Sequence, residues 1–250
     1  MASTPQRQIK RFGFGRIVEH QANALAFIML VITGLSQRFH EYAVSHWIIK
    51  NLGGVDSVRI IHRWSGVLFI TLIAAHIAVG VFGVIKKRWP ASMMVNMNDF
   101  QNAMENMRYY FGITNHPALC DRYDYKQKFE YWGVIAGGFL MIATGLILWF
   151  PVDVARLLPG ELIPAAKAAH SNEALLAFLV IVTWHIYNSI FSPEVFPLDT
   201  AIFTGNISRE RMVHEHPREL ARLENLPVEE IVKHHHAAPA DKGSRTGEGA

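Results

Sequence analysis

Apolar residues are not spread evenly along this chain of 250 residues but gathered into four blocks, at 17–36, 62–84, 131–150 and 173–191, with polar sequence between them. Each block is close to the ~20 residues that cross a hydrocarbon core. Lys, Asp and Glu are almost absent inside the blocks away from their ends, while Gly, Ala, Ser and Thr are frequent, as closely packed membrane helices require. The stretches 22–35, 67–84 and 133–148 carry no polar stripe, only single histidines and hydroxyls, whereas a soluble bundle would keep one face polar. The pattern predicts an all-α integral membrane protein, a four-transmembrane-helix bundle at 17–191.

The connection 86–130 is too long for a simple link and predicts an amphipathic helix on the membrane surface, with Phe100, Met104, Met107 and Phe111 at helical spacing. Interfacial packing is the preferred reading, because such spacing names no ligand. Residues 192–233 predict a polar extension of one or two exposed helices broken at Pro217 and Pro227. The segment 234–250 lacks large apolar side chains and reads as a solvated, disordered tail, on which three consecutive histidines make no preorganised metal site. Residues 1–16 contain no apolar segment followed by a small-residue cleavage site, so the first span is expected to stay attached. No internal repeat, phosphate loop or dinucleotide fingerprint is visible, and nothing calls for nucleic acid.

Composition changes this picture in two ways. The single cysteine, Cys120, excludes a disulfide framework, a CxxCH haem attachment and an iron–sulfur cluster held wholly by this chain. The formal charge of +3 matters less than where its basic residues lie. Lys10, Arg11 and Arg16 precede the first span, Lys86, Lys87 and Arg88 end the second, Arg122, Lys126 and Lys128 precede the third, and Arg209, Arg211, Arg218 and Arg222 follow the fourth. The opposite loops, 37–61 and 151–172, have fewer basic residues, offset by Glu41, Asp56, Asp153 and Glu161. This asymmetry predicts a bacterial cytoplasmic (inner) membrane protein, surrounded by membrane lipid, with both termini and the central loop cytoplasmic.

Five histidines lie in or at the ends of the blocks: His20, His62, His76, His170 and His185. Ionisable groups at membrane depth are costly and point to function. His62 and His170 fall near the periplasmic ends of their spans, His20 and His185 near the cytoplasmic ends. Fifteen residues separate His170 from His185, ~22 Å of rise and about 60° of rotation on an ideal helix, so one helix can offer a ligand at each level. Pairs of neutral imidazoles, His62 with His170 and His20 with His185, would saturate a haem iron and favour electron transfer over oxygen chemistry. His76 reaches the cytoplasmic level on the same face as His62 and stands as an alternative ligand or as a hydrogen-bonding support. Arg16, Arg59, Arg63 and Lys167 are candidate partners for haem propionates, or simply interfacial cations. Gly34, Gly66, Gly137, Gly138 and Gly145 thin their helices where a macrocycle could pass, or where helices pack.

Taken in order over about 12–222, these residues resemble the dihaem cytochrome b subunits of membrane-bound formate dehydrogenases and nickel–iron hydrogenases, in the wider cytochrome b561-like group. GRIVEHQANALAFIMLVITGL resembles the first helix, VRIIHRWSG the second, and YDYKQKFEYW with ATGLILWFP the third. GNISRERMVHEHPREL is similar to the stretch that follows the fourth. The resemblance implies two haem b groups with axial ligands at His20, His62, His170 and His185. It implies a quinone, menaquinone or ubiquinone, near His185 and the turn bearing Tyr123, Asp124, Lys126 and Gln127. Two departures stand out: Asp124 replaces the family's asparagine and suits either proton exchange with quinone or a helix cap, and His76 is extra. NSIFSPEVFPLDTAIFTG is similar to a branch that works with multihaem c-type cytochromes. The expected function is electron carriage across the membrane between the quinone pool and a periplasmic iron–sulfur or multihaem c-type cytochrome subunit. Inward flow against an inside-negative potential costs ~2.3 kcal/mol per electron per 100 mV and would conserve energy, while the reverse dissipates it. The competing readings are a haem-bearing anchor that conducts nothing, and a transporter with histidine proton relays and no haem.

Overall fold

The computed structural model describes residues 7–193 and 195–236. The chain divides into two compact units, one of Lys10–Met94 with Lys126–Asn206 and one of Met1–Ile9 with Val95–Tyr125 and Ile207–Ala250.

In the first unit four helices are long and apolar enough to cross a membrane: α1 (Phe14–Arg38), α3 (Val55–Ile85), α5 (Tyr125–Trp149) and α7 (Leu162–Phe191). Each begins before its predicted apolar block, because backbone hydrogen bonding continues through the polar residues that flank the hydrocarbon, such as Asp56 and Arg59 in α3. No more than 11 % of the residues in the apolar stretch of any span are buried inside the protein. Their apolar surface therefore faces outward, and lipid is the solvent that satisfies it. Two short helices, α2 (Ala43–Asn51) and α6 (Pro151–Leu157), lie in the connections after α1 and α5. α1 packs against α3 and α7. α5 approaches α3 where Ile73 faces Gly138 and approaches α7 where Glu173 faces Gly137.

α7 departs from an ideal helix. It is α-helical over Leu162–Val180 and then wound in π turns over Ile181–His185 and Tyr187–Phe191, with i→i+5 bonds such as Ser192 N–H to Tyr187 O at 2.9 Å. The rotation of about 60° expected between His170 and His185 therefore does not apply, since wide turns re-aim the residues beyond them. After α7 comes the single turn α8 (Ala201–Thr204), ended by Gly205 at φ 78°. Only glycine suits that position, because a Cβ there would lie 2.6 Å from the carbonyl oxygen of Phe12.

The second unit holds α4 (Met97–Tyr110), α9 (Arg209–Glu215), α10 (Pro217–Glu224) and α11 (Val228–His236). α4 is the predicted loop helix, opened by a capping box in which Asn96 accepts from Asn98 N–H at 2.9 Å and Asp99 accepts from Asn96 N–H at 2.8 Å. Its apolar residues Phe100, Met104 and Met107 are exposed, and its buried residues are Asp99, Asn102 and Asn106. The helices after residue 208 break before Pro217 and between Asn225 and Pro227, near the two expected prolines. They are not merely exposed: Ile207, Met212, Val213, Leu220, Ala221 and Ile231 form a shared core joined by Ile9 and Val228. Amphipathic helices this short gain their stability from such packing. Strands β1 (Gln8–Lys10) and β2 (Asn206–Ser208) pair in a two-stranded sheet that the all-helical expectation did not contain. Of the expected tail at 234–250, the backbone continues helical to His236, and 237–250 lie outside the described residues.

Candidate functional site: two facing histidine pairs

The membrane-spanning unit brings four histidines together in twos. His62 of α3 faces His170 of α7 with ring centres 6.2 Å apart and planes at 74°. His20 of α1 faces His185 of α7 at the same 6.2 Å, with planes at 34°. Rings hydrogen-bonded directly to each other would have centres about 5 Å apart. Two metal–nitrogen bonds of about 2 Å, each with about 1.1 Å from nitrogen to ring centre, give about 6 Å. The spacing fits one iron between the imidazoles of each pair. Among the described residues no three His, Cys, Asp or Glu converge on a bare metal site.

The first pair has matching supports. Thr33 is fully buried, and its hydroxyl donates to the carbonyl of Met29 at 2.6 Å. With its one proton committed, the oxygen accepts from Nδ1–H of His62 at 2.9 Å. Thr144 of α5 repeats this, donating to Leu140 O at 2.7 Å and accepting from Nδ1–H of His170 at 2.9 Å. Both imidazoles are thereby held in the tautomer that leaves Nε2 with a lone pair, the form a metal requires. The residue after each threonine is a glycine beside the imidazole, at a tight approach for Gly34 and at ordinary contact distance for Gly145. A Cβ on Gly34 would stand 3.1 Å from Cε1 of His62, and one on Gly145 would stand 3.4 Å from Cε1 of His170.

The second pair is supported differently. His185 donates Nδ1–H to Glu130 Oε2 at 3.2 Å. His20 Nδ1 is buried without a partner among the described residues. Along α1, thirteen residues separate His20 from Thr33, so the two pairs stand about 20 Å apart in height.

His76 does not face His185. Its Nδ1 meets Glu19 and lies 3.0 Å from Arg16 Nη1, and its Nε2 lies 3.0 Å from the hydroxyl of Tyr131. Both ring nitrogens are engaged by protein, which sets His76 apart from the paired histidines. Arg16 also binds Glu19 at 2.7 Å and lies over Trp89. Arg63 lies over Trp149, Arg59 pairs with Asp56 at 3.5 Å, and Lys167 is exposed.

The residues predicted for a quinone lie at 123–127, just before and at the start of α5. Tyr123 and Asp124 end a segment of the smaller unit, Lys126 and Gln127 open the first turn of α5, and all four engage other groups. Sequence reasoning missed Thr33, Thr144, Glu130 and Arg38. The Thr-Gly dipeptides at 33–34 and 144–145 were the available signal for two of them. Arg38 donates from Nη2 to Asn172 Oδ1 at 3.0 Å, and its Nη1 is buried with no partner among the described residues.

Residues 11–196 match the family described as prokaryotic cytochrome b561. The chain is 24 % identical over 213 residues to the formate dehydrogenase cytochrome b556(fdo) subunit of Escherichia coli strain K12, covering 84 % of this chain and 90 % of that one. It is 20 % identical over 206 residues to the nitrate-inducible formate dehydrogenase cytochrome b556(Fdn) subunit of the same strain, covering 82 % and 87 %. A formate dehydrogenase cytochrome b556 subunit of Haemophilus influenzae is 24 % identical over 178 residues, covering 68 % and 66 %. Four apolar spans, imidazoles facing at the spacing of an iron bridge, and a match over most of the chain lead to one assignment: this protein belongs to the prokaryotic cytochrome b561 family and is a membrane-spanning b-type cytochrome of electron transport.

Proposed function

We propose that this chain is the membrane subunit of a respiratory oxidoreductase complex, and that it passes electrons between a redox partner on the periplasmic side and the quinone pool through two haem b groups. The observation that carries this reading is the pair of 6.2 Å imidazole facings about 20 Å apart in height. Haem, when bound, supplies reversible one-electron exchange at iron.

His62 and His170 hold one group, with Thr33 and Thr144 fixing their tautomers. His20 and His185 hold the other, with Glu130 orienting His185. The engaged nitrogens of His76 favour a supporting role for it over ligation. Basic residues flanking the spans favour cytoplasmic termini in an inner membrane. The formate dehydrogenase relatives support assembly with other subunits, and the resemblance at 123–127 supports menaquinone or ubiquinone near Asp124, Lys126 and Gln127. An iron–sulfur or multihaem c-type cytochrome subunit suits the periplasmic partner.

Pyridine haemochrome analysis is expected to give two haems per chain. His62→Ala and His170→Ala should each lose the same one, His20→Ala and His185→Ala the other, and His76→Ala should keep both. A chain that stays colourless with ample haem, or that keeps two haems after His62→Ala, would sink the proposal. Quinol added to membranes holding the unsubstituted chain should reduce both haems, and no quinol-dependent absorbance change would reject the quinone part alone.

A further inference from the structure

Arg38 lies in the last turn of α1. A basic residue there ordinarily complements the helix carbonyls, or runs its stem along lipid and keeps its tip in water. The geometry of Arg38 is different. Nη2 is tied to Asn172 at 3.0 Å, while Nη1 is shut off from solvent and meets no acceptor among the described residues. A charged donor removed from water and left unpaired is destabilising, so an acceptor is missing from its account.

Position narrows what that acceptor is. Thr33, which accepts from His62, lies five residues earlier on the same helix, about 7.5 Å of rise. Asn172, which holds the other end of the guanidinium, lies two residues after His170. Arg38 thus joins α1, which supplies the support of His62, to α7, which carries His170, near the level of that pair. Of the arginines proposed from sequence, Arg16 is taken up by Glu19 and His76, Arg59 by Asp56, and Arg63 lies over Trp149. Arg38 likewise lies over Phe39 at 5.4 Å, but that contact uses the face of the guanidinium and leaves the in-plane N–H groups of Nη1 without an acceptor among the described residues.

We propose that Arg38 Nη1 binds a propionate carboxylate of the haem held between His62 and His170, an assignment that rests on the ligand pairing proposed above. A planar guanidinium and a carboxylate match in charge and in fork geometry, and the pairing neutralises both in a medium of low dielectric. A lipid phosphate offers the same anionic oxygen chemistry, and the experiment separates the two sources.

Purified chain carrying Arg38→Gln or Arg38→Lys is loaded with haem or with haem dimethyl ester, whose propionates carry no charge. Haem loss to an excess of apomyoglobin is followed, together with a redox titration. Arg38→Gln should speed loss of one native haem about tenfold or more and lower the potential of that same haem, since a neighbouring positive charge disfavours the ferric form. Loss of the ester should be nearly the same from both chains, and Arg38→Lys, which keeps the charge without the fork, should fall between. Equal acceleration for haem and ester, changing with the content of anionic lipid, would overturn the proposal in favour of a phosphate. Unchanged retention and potential would overturn it outright. Two haems per chain in freshly purified Arg38→Gln protein show that the ligand pairing stands, so either failure concerns Arg38 alone.

Discussion

At the scale of single residues, the histidines were legible because an ionisable ring inside a membrane helix demands a reason. The threonines were not. Thr71 and Thr183 also donate to the carbonyl four residues back, at 2.8 and 2.7 Å, and support no histidine. That bond is the ordinary habit of a membrane threonine, so residue type and helix position do not separate Thr33 and Thr144 from the others, and only the glycine after each does. The distinction lies in what the oxygen does with its remaining lone pairs. Thr33→Val keeps the shape and removes an acceptor of the His62 Nδ1–H, costing about 1 kcal/mol or more. The expected outcome is haem retention weakened about 10- to 100-fold on one side only, restored by Thr33→Ser and untouched by Thr71→Val. Haem-transfer kinetics and the low-spin paramagnetic resonance signal of each haem would report it.

At the scale of elements, hydropathy placed all four spans but not their ends, because apolarity marks the hydrocarbon whereas helices stop where backbone partners or caps stop them. It also placed α4 without saying which face would be buried. Asn106 settles that face inside its unit. Its side chain accepts from Ala118 N–H at 2.7 Å and lies 3.4 Å from the hydroxyl of Tyr125. The polar face is thereby consumed by local bonds, and Phe100, Met104 and Met107 are left outward at 65 %, 59 % and 51 % exposure. An apolar stripe presented in this way suits the acyl boundary. Phe100→Trp is accordingly expected to fluoresce in the blue and to be quenched by brominated lipid in bilayers. Emission typical of water with no quenching would remove α4 from the membrane surface. The π turns beyond Val180 were beyond the reach of an ideal-helix calculation, since the choice between i→i+4 and i→i+5 bonding at Ile181–His185 depends on neighbours and not on spacing.

At the scale of the whole molecule, the smaller unit is organised by ion pairs that the sequence showed only as a run of mixed charge. Glu224 takes two bonds from Arg209, at 2.8 and 2.6 Å, and one from Arg7 at 3.2 Å. The hydrogen bonds from Arg209, outweighing partial burial and aided by the charges of both arginines, hold its carboxyl below the usual 4.5. Burial pushes Asp121 upward, but bonds from the Arg222 side chain and the Arg122 backbone, with the charges of Arg222 and Arg218, leave it below 3.8. Carboxyls lowered on folding stabilise the folded state fully above their ordinary values, and that stabilisation disappears as pH falls through the lowered ones. Amide protection over 207–231 is therefore expected to be flat at neutral pH and to decline only in strong acid. Arg209→Gln should lower protection by about 1 kcal/mol at pH 7 and move the decline to higher pH. Hydrogen exchange read by mass spectrometry measures both.

The Thr-Gly supports have a consequence for how the protein is made. Residues 33–34 serve a histidine on α3, and 144–145 serve one on α7, so each hairpin of spans prepares half of a clasp and neither can close it alone. Iron bound as proposed above would rivet the two halves together, and is expected to be fastened during biogenesis and not added to a finished scaffold. Cells starved of haem should then yield little chain at all, cleared by membrane proteases within a pulse-chase, whereas an abundant, long-lived and colourless protein would show that the halves hold without it.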